Sequence, residues 1–146
     1  MNPSLVGSEM CIRDRLNAEQ TGEFVCSIVG HDQREAMNQT SIHLPYGQDE
    51  MPNAGLEGEA AELVKPLRVK NAPVHLECKY MQSVEMPCWH EGRENWVIFG
   101  EVVGIHVDPK IIKDGLVDVT LYKPVSRLGY MDYSTVTDLF QMDRPD

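Results

Sequence analysis

The longest apolar run in the chain covers residues 96–107 and is rich in β-branched residues. Such residues favour β-strands, and the run is too short and too interrupted by glycine to span a membrane. Alternation with a period of two predicts that Gly100, Gly104 and His106 share one face of this strand. Two glycines on one face would leave the backbone bare, which suits a barrel bend or the close approach of a flat ligand. On spacing alone, the bend with a merely hydrogen-bonded histidine is the favoured interpretation.

Three other segments, residues 23–29, 75–84 and 116–122, also alternate between apolar and polar side chains. A polar connection predicts that the strands 75–84 and 96–107 form an antiparallel hairpin. Strands dominate, the helices are short, and no βαβ alternation is present, so we expect a mainly β fold, an antiparallel β-barrel with short helices. Only four or five strands are convincing, which is near the lower limit for closing a barrel. The sequence therefore predicts a barrel that is incomplete at its N-terminus.

Length and charge narrow the class of protein. The 146 residues fit one domain, and the formal net charge of −10 opposes binding to nucleic acid or to an anionic membrane surface. No segment has the pattern of a signal peptide or of a transmembrane helix. The four cysteines have no regular spacing. We therefore expect a cytoplasmic protein with reduced thiols that has neither nucleic acid nor a membrane as its partner.

Residues 4–15 read SLVGSEMCIRDR. This string matches the conceptual translation of a transposase sequencing adapter, in the frame that contains MCIRD. The alternative is a genuine N-terminal helix, but Gly7 and the lack of an apolar stripe with a period of 3.6 weaken it. We therefore predict that residues 1–15 are not native, that the domain covers residues 16–146, and that a native upstream part is missing.

Motifs for direct catalysis by side chains are absent from the sequence. Cys88 and His90 supply only two ligands, whereas a zinc site needs three or four, so no metal site is predicted. The chain has no Gly-x-Ser-x-Gly elbow, no Gly-x-Gly-x-x-Gly and no P-loop. No catalytic residue is predicted. If the protein is an enzyme, a bound cofactor supplies the chemistry.

From Asn17 onward, the chain resembles the flavin reductase-like, FMN-binding split-barrel family, and especially its flavoredoxin-like branch. Each matching piece is short, and the resemblance depends on their order and spacing together. In chain order, the pieces are Asn17 with residues 21–25 (TGEFV), residues 35–41 (EAMNQTS), 49–50 (DE), 54–56 (AGL), 64–69 (VKPLRV), Pro73 with 76–78 (LEC), 100–107 (GEVVGIHV), and 127–129 (RLG) with Tyr133.

The resemblance implies a Greek-key split barrel that forms a homodimer with FMN at the dimer interface. It also implies electron transfer from NADH, NADPH or a protein donor to flavin, with a possible partner oxygenase that receives reduced flavin. Two alternatives remain open, a non-catalytic flavin-binding or electron-carrier protein and an inactive fragment, because a fold does not settle a function.

The resemblance also implies four cofactor-binding residues. Asn17 would close a Lys/Arg-Asp-Thr-x-x-Asn segment that cradles the FMN phosphate, although the rest of that segment is replaced here. Lys65 lies in a basic-Pro motif that reaches the flavin, His106 is offered by its strand, and Tyr130 lies in a loop that packs on the ring. A cation or an imidazole N–H near the N1–C2=O edge of flavin would stabilise its negative charge. The alternatives are a solvated Lys65 and a surface aromatic at Tyr130.

Overall fold

The structure is a computed structural model that describes residues 9–42, 44–45, 48–89 and 94–145. Most of its regular elements are strands, and its helices are short after the first. The elements in chain order are α1 (Glu9–Thr21), β1 (Glu23–Ile28), a 3₁₀ helix (His31–Gln33), α2 (Arg34–Gln39), α3 (Glu50–Asn53), β2 (Gly58–Glu59), β3 (Arg68–Val69), β4 (Val74–Met86), β5 (Asn95–Val107), a second 3₁₀ helix (Pro109–Ile111), β6 (Ile112–Lys113), β7 (Leu116–Val117), α4 (Val119–Tyr122), β8 (Val125–Gly129) and β9 (Asp132–Thr135). The predicted mainly β fold with short helices is confirmed.

The largest sheet in the described part of the chain has the strand order β1-β4-β5, and both pairs are antiparallel. The two long strands pair from Val74 opposite Val107 to Met86 opposite Asn95, so the predicted hairpin is confirmed. The other strands of the described chain form three two-stranded ribbons, β2-β3, β6-β7 and β8-β9.

A β-bulge in β5 overturns the predicted glycine strip. Glu77 pairs with Gly104, whereas the next residue of β4 pairs with Val102, so Val103 is an extra residue that reverses the alternation. Gly100 and Gly104 therefore lie on opposite faces of the sheet. A Cβ at Gly100 would overlap the ring of Phe24, and a Cβ at Gly104 would lie 3.0 Å from Cδ1 of Leu63. Neither glycine leaves bare backbone for a flat ligand.

The predicted strand over residues 116–122 is wrong beyond its first two residues. The chain continues from β7 into helix α4 because the side chain of Asp118 accepts hydrogen bonds from the backbone N–H and the hydroxyl of Thr120, at 2.9 Å and 2.6 Å. An aspartate at this position satisfies a free amide of the first helical turn and so favours a helix over a strand.

Helix α1 crosses the predicted boundary between residues 15 and 16. It ends at Gly22, whose φ of +71° suits glycine and whose N–H donates to the carbonyl of Ala18 at 3.0 Å. The guanidinium of Arg15 stacks over Trp96 at 4.3 Å and lies 3.5 Å from the carboxylate of Glu19. The helix that the sequence disfavoured is thus present from Glu9 onward. The non-native origin of residues 1–15 stays a prediction.

Few apolar side chains are buried, and many large ones are exposed. The buried hydrophobic residues of the described chain are Ala18, Val64, Ala72, Cys78 and Ile111. On β5, by contrast, Phe99, Val102 and Ile105 are 46%, 46% and 64% exposed. A three-stranded sheet also leaves the outer edges of β1 and β5 without strand partners among the described residues. No helix in the described ranges is both long and apolar enough to cross a membrane.

Candidate functional site

Glu77 is a fully buried carboxylate on the central strand β4. Its Oε1 accepts a hydrogen bond from the backbone N–H of Glu62 at 2.9 Å. Its Oε2 accepts from the N–H groups of Leu63 at 2.6 Å and Val64 at 3.1 Å. The ring Nε2 of His106 also bonds to Oε1. One side chain of the sheet thus binds three successive amides of a crossing segment, residues 62–65, which we call the 62–65 loop.

The fourth amide of this loop is bound in the same way by β1. The N–H of Lys65 donates to Oε2 of Glu23 at 2.9 Å, and the other oxygen of Glu23 pairs with the ammonium of Lys79. Glu23 and Lys79 are directly opposite each other in the β1-β4 ladder. All four amides of the 62–65 loop therefore donate to carboxylates that project from the sheet.

The surroundings of Glu77 keep it ionised. Desolvation acts to raise the pKa of this buried carboxyl, but the N–H groups of Glu62 and Leu63 and the ring of His106 outweigh it and lower the pKa to about 2. An ionised carboxylate only accepts hydrogen bonds, so the proton between the two side chains belongs to Nε2 of His106. The other ring nitrogen, Nδ1, lies 3.7 Å from the carboxylate of Glu62.

A second histidine lies beside the first in a different environment. His75 pairs with His106 across β4 and β5, is 4% exposed, and its ring centroid lies 6.4 Å from that of His106. Its Nδ1 lies 2.9 Å from the hydroxyl of Ser27, which also accepts the N–H of Val69 at 3.2 Å. Burial and the nearby guanidinium of Arg68 lower the pKa of His75, so the neutral ring is favoured at this position.

The structure brings two of the four predicted cofactor residues to the same cluster. His106 is half-buried against Glu77, and Lys65 is exposed at the end of the 62–65 loop. Asn17 is exposed on α1, and its carbonyl accepts the hydroxyl of Thr21 at 2.7 Å. Tyr130 is 84% exposed at the turn between β8 and β9. No hydrogen bond or ion pair among the described residues joins Asn17 or Tyr130 to Glu77.

The role predicted for His106 changes in one respect. Its Nε2–H is donated to Glu77, so this proton is not available to a ligand. Only the Nδ1 edge, which faces Glu62, remains to contact a ligand. A histidine donates from both nitrogens only when it is charged. His106 would therefore offer an N–H to a flavin only in its protonated form.

Tyr130 is held by its backbone. Its φ of +49° lies in the left-handed region, which is uncommon for a residue other than glycine. The guanidinium of Arg127 donates to the carbonyl of Tyr130 at 3.1 Å and lies 5.6 Å from the ring centroid of Tyr133. These contacts fix the turn and leave the Tyr130 ring in solvent.

The described residues enclose a cavity of about 140 Å³ between β1, α2 and α3. Its walls are mostly apolar and include Ile28, Met37, Met51 and Leu56. Pockets that bury ligands of drug size usually have about 300–1,000 Å³, so this cavity is too small for a flavin. No cluster of three His, Cys, Asp or Glu side chains suited to a metal occurs among the described residues. The Cys88–His90 pair is not complete within that part, because His90 lies outside it.

Sequence reasoning missed Glu77. The alternation of residues 75–84 places His75 and Glu77 on the face of a half-buried strand opposite Leu76 and Cys78, and the 62–65 loop covers that face. One signal was present in the sequence. A hairpin between strands 75–84 and 96–107 brings His75 and Glu77 close to His106, and such a cluster points to a buried polar network rather than a solvated face.

A family model described as "Flavin reductase like domain" matches residues 15–125. The chain is 34% identical over 131 residues to an uncharacterised protein of Halalkalibacterium halodurans, a match that covers 88% of the chain and 62% of the relative. Its fold resembles nitrilotriacetate monooxygenase component B of Bacillus cereus with a TM-score of 0.82 at 26% identity, over 89% of this chain and 64% of that one.

A third comparison identifies the architecture. A protein of Shewanella frigidimarina NCIMB 400, assigned as a flavin reductase with a split barrel domain, has a TM-score of 0.76 at 24% identity, over 94% of this chain and 68% of that one. The predicted split-barrel fold is thereby confirmed. The chain spans less than two thirds of the length of the Halalkalibacterium relative, at 62%.

Proposed function

Because the chain belongs to the flavin reductase-like domain family, we propose that the whole protein binds FMN and transfers electrons from NADH, NADPH or a protein donor to flavin. The observation that carries this proposal is the family match over residues 15–125. The exposed Lys65, which directly follows the Val64 amide bound by Glu77, supports it, because an ammonium group on a fixed backbone suits the negative charge that the N1–C2=O edge of flavin takes on when the ring accepts electrons.

The chemistry of the predicted residues fits FMN. Lys65 offers a cation, Asn17 an amide, His106 the Nδ1 edge of its ring, and Tyr130 an exposed aromatic face. These groups suit the ring edge, the phosphate and the ring face of the cofactor. Bound FMN would supply the capacity to accept and release electrons, while the protein binds and orients it.

A second copy of the chain is proposed to complete the site. The cavity of about 140 Å³ cannot enclose FMN, whereas β5 has large exposed apolar side chains and an open edge. Exposed apolar patches of this kind are typical of protein interfaces. We therefore propose a homodimer with FMN between the two copies.

A partner oxygenase that receives reduced flavin is a further part of the proposal. The similarity to nitrilotriacetate monooxygenase component B supports it, at 26% identity and a TM-score of 0.82. Cys26, Cys78 and Cys88 are free thiols, which favours the reducing cytoplasm as the site of action.

The proposal is tested by following NADH and NADPH oxidation with and without added FMN, beside the elution volume and visible absorbance of the purified protein. Oxidation that requires both FMN and the protein supports a reductase. Flavin absorbance without oxidation of NADH or NADPH would exclude both nucleotides as donors and leave a protein donor or a non-catalytic electron carrier. A protein that neither binds FMN nor oxidises either nucleotide would refute both proposals for this chain.

A further inference from the structure

We propose that Glu77 is a positioning residue, whose buried carboxylate fixes the 62–65 loop and thereby the point from which Lys65 approaches the flavin. The effect on flavin rests on the proposed function, whereas the fixing of the loop does not. Glu77 itself lies too deep to touch a ligand, since none of its side chain is exposed.

The amides of the 62–65 loop are oriented towards one carboxylate. Three successive N–H groups, those of Glu62, Leu63 and Val64, converge on the two oxygens of Glu77. Successive amides that converge in this way form a nest that binds an anion. Here the anion is a side chain of the same protein, so these amides are not available to the phosphate of a cofactor. The phosphate must find its donors elsewhere, in agreement with the role proposed for Asn17.

The contact between Glu77 and the 62–65 loop, which we call the anchor, starts from a rigid strand. Glu77 lies on β4, which is paired on both sides by β1 and β5, so its backbone cannot shift without disturbing the sheet. Glu77 binds the N–H of Val64, the residue just before Lys65, and Glu23 binds the N–H of Lys65 itself. The backbone at Lys65 is therefore fixed by side chains of β4 and β1, while the side chain of Lys65 is exposed. Fixed placement of a charged group lowers the cost of binding, because less motion is lost when the ligand arrives.

The carboxylate of Glu77 also connects the 62–65 loop to β5. His106 bonds to Glu77, and its other edge faces Glu62 on the loop, so this histidine joins the loop to β5. The carboxylate thus organises both predicted flavin contacts, Lys65 and His106, from beneath. Replacing it by a neutral amide leaves at least one of the converging amides without an acceptor of the same quality, because one oxygen becomes a donor.

The anchor is tested by amide hydrogen exchange in Glu77→Gln, with Glu85→Gln as the control. Glu85 is exposed on the same strand, so its substitution has the same chemistry without a buried partner. We expect exchange of the Leu63 and Val64 amides to become at least about tenfold faster in Glu77→Gln, because a charge-assisted hydrogen bond is lost. Unchanged exchange at both amides would overturn the anchor.

The anchor can also be tested without any substitution, in case Glu77→Gln does not fold. Scalar couplings across the hydrogen bonds should join the amide nitrogens of Leu63 and Val64 to the carboxyl carbon of Glu77 in the unaltered protein. Their detection supports the anchor, and their absence at amides that give sharp signals would overturn it.

The positioning role is tested by a double-mutant cycle on FMN affinity with Glu77→Gln and Lys65→Ala. If Glu77 acts through Lys65, Glu77→Gln weakens binding by about tenfold alone but by clearly less once Lys65 is alanine, the remaining effect passing through His106. Fully additive effects would overturn the positioning role and leave Glu77 with a structural one. A Lys65→Ala variant that binds FMN normally would refute the proposed site instead. Should Glu77→Gln not fold, Glu23→Gln takes its place in the cycle, since it weakens the acceptor of the Lys65 amide and the ion pair with Lys79 but leaves the three amides bound by Glu77 in place.

Discussion

The 62–65 loop and the β8-β9 hairpin each present one residue predicted to contact flavin, yet they hold it in different ways. Lys65 follows three amides bound to a buried carboxylate of the central sheet. Tyr130 lies on a two-stranded ribbon whose tip is mostly exposed, with Leu128 and Met131 at 67% and 83%. The position of Lys65 is thus set by the interior of the sheet, whereas that of Tyr130 is set by a local turn.

The two regions therefore differ in how far their order depends on a ligand or a second surface. A loop fixed by buried charge keeps its shape without a ligand. An aromatic residue in solvent gains a fixed environment only when a cofactor or a second copy covers it. The 62–65 loop is therefore the preformed part of the proposed site, and the hairpin is the part that another surface completes.

The largest expected effect comes from replacing Glu77 by leucine. The substitution leaves three loop amides buried without an acceptor, and unpaired buried amides are costly. We expect the melting temperature to fall by about 5 °C or more in Glu77→Leu. Tyr130→Leu, on the exposed hairpin, should leave it nearly unchanged. Circular dichroism on heating measures both, and equal melting temperatures would break the distinction between an anchored and a displayed region.

The second prediction concerns pH. The pKa of His75 is held below its ordinary value of 6.5, so the folded state loses stability as the pH falls below 6.5. Glu77, with a pKa of about 2 against an ordinary 4.5, contributes stability that is complete above pH 4.5 and is lost as the pH falls through about 2. Urea unfolding at pH 7.5 and at pH 5.5 measures the free energy of unfolding. The decrease in this free energy between the two pH values should be smaller in His75→Gln than in His31→Gln. The reverse order would contradict the neutral state assigned to His75.

A small effect on stability is expected for Tyr130→Gly. Glycine relieves the left-handed backbone but loses more conformational freedom on folding, so the free energy of unfolding should change by less than about 1 kcal/mol. The same variant should quench the fluorescence of bound FMN less, because the stacking ring is gone. Identical quenching in Tyr130→Gly and in the unaltered protein would support the alternative that Tyr130 is a surface aromatic residue.

Much of the fold could be predicted from sequence because apolar alternation reports strands directly. The pairing of residues 75–84 with 96–107 follows from two alternating runs and a polar connection. The position of the bulge at Val103 could not be predicted, because a glycine in a strand can indicate a bend or a bulge but does not fix which residue is the extra one. This extra residue places Gly100 and Gly104 on opposite faces of the sheet, so the predicted strip of bare backbone does not form.

The site was predicted only in part, for a related reason. Lys65 and His106 were predicted from the family resemblance, and the structure places His106 on Glu77 and Lys65 one residue after Val64, whose amide Glu77 binds. Glu77 was missed because periodicity places a side chain on a face but does not say what covers that face. The cover is the 62–65 loop, and its contact with the strand joins residues 13 to 15 positions apart in sequence.

The most direct test of the account is a fluorescence titration of FMN with the unaltered protein, Lys65→Ala and Lys110→Ala. Lys110 is an exposed lysine on the second 3₁₀ helix, so it controls for the loss of one positive charge. We expect saturable binding by the unaltered protein and by Lys110→Ala, and binding about tenfold weaker in Lys65→Ala. Equal affinity in all three proteins would contradict the claim that the 62–65 loop presents Lys65 to the flavin.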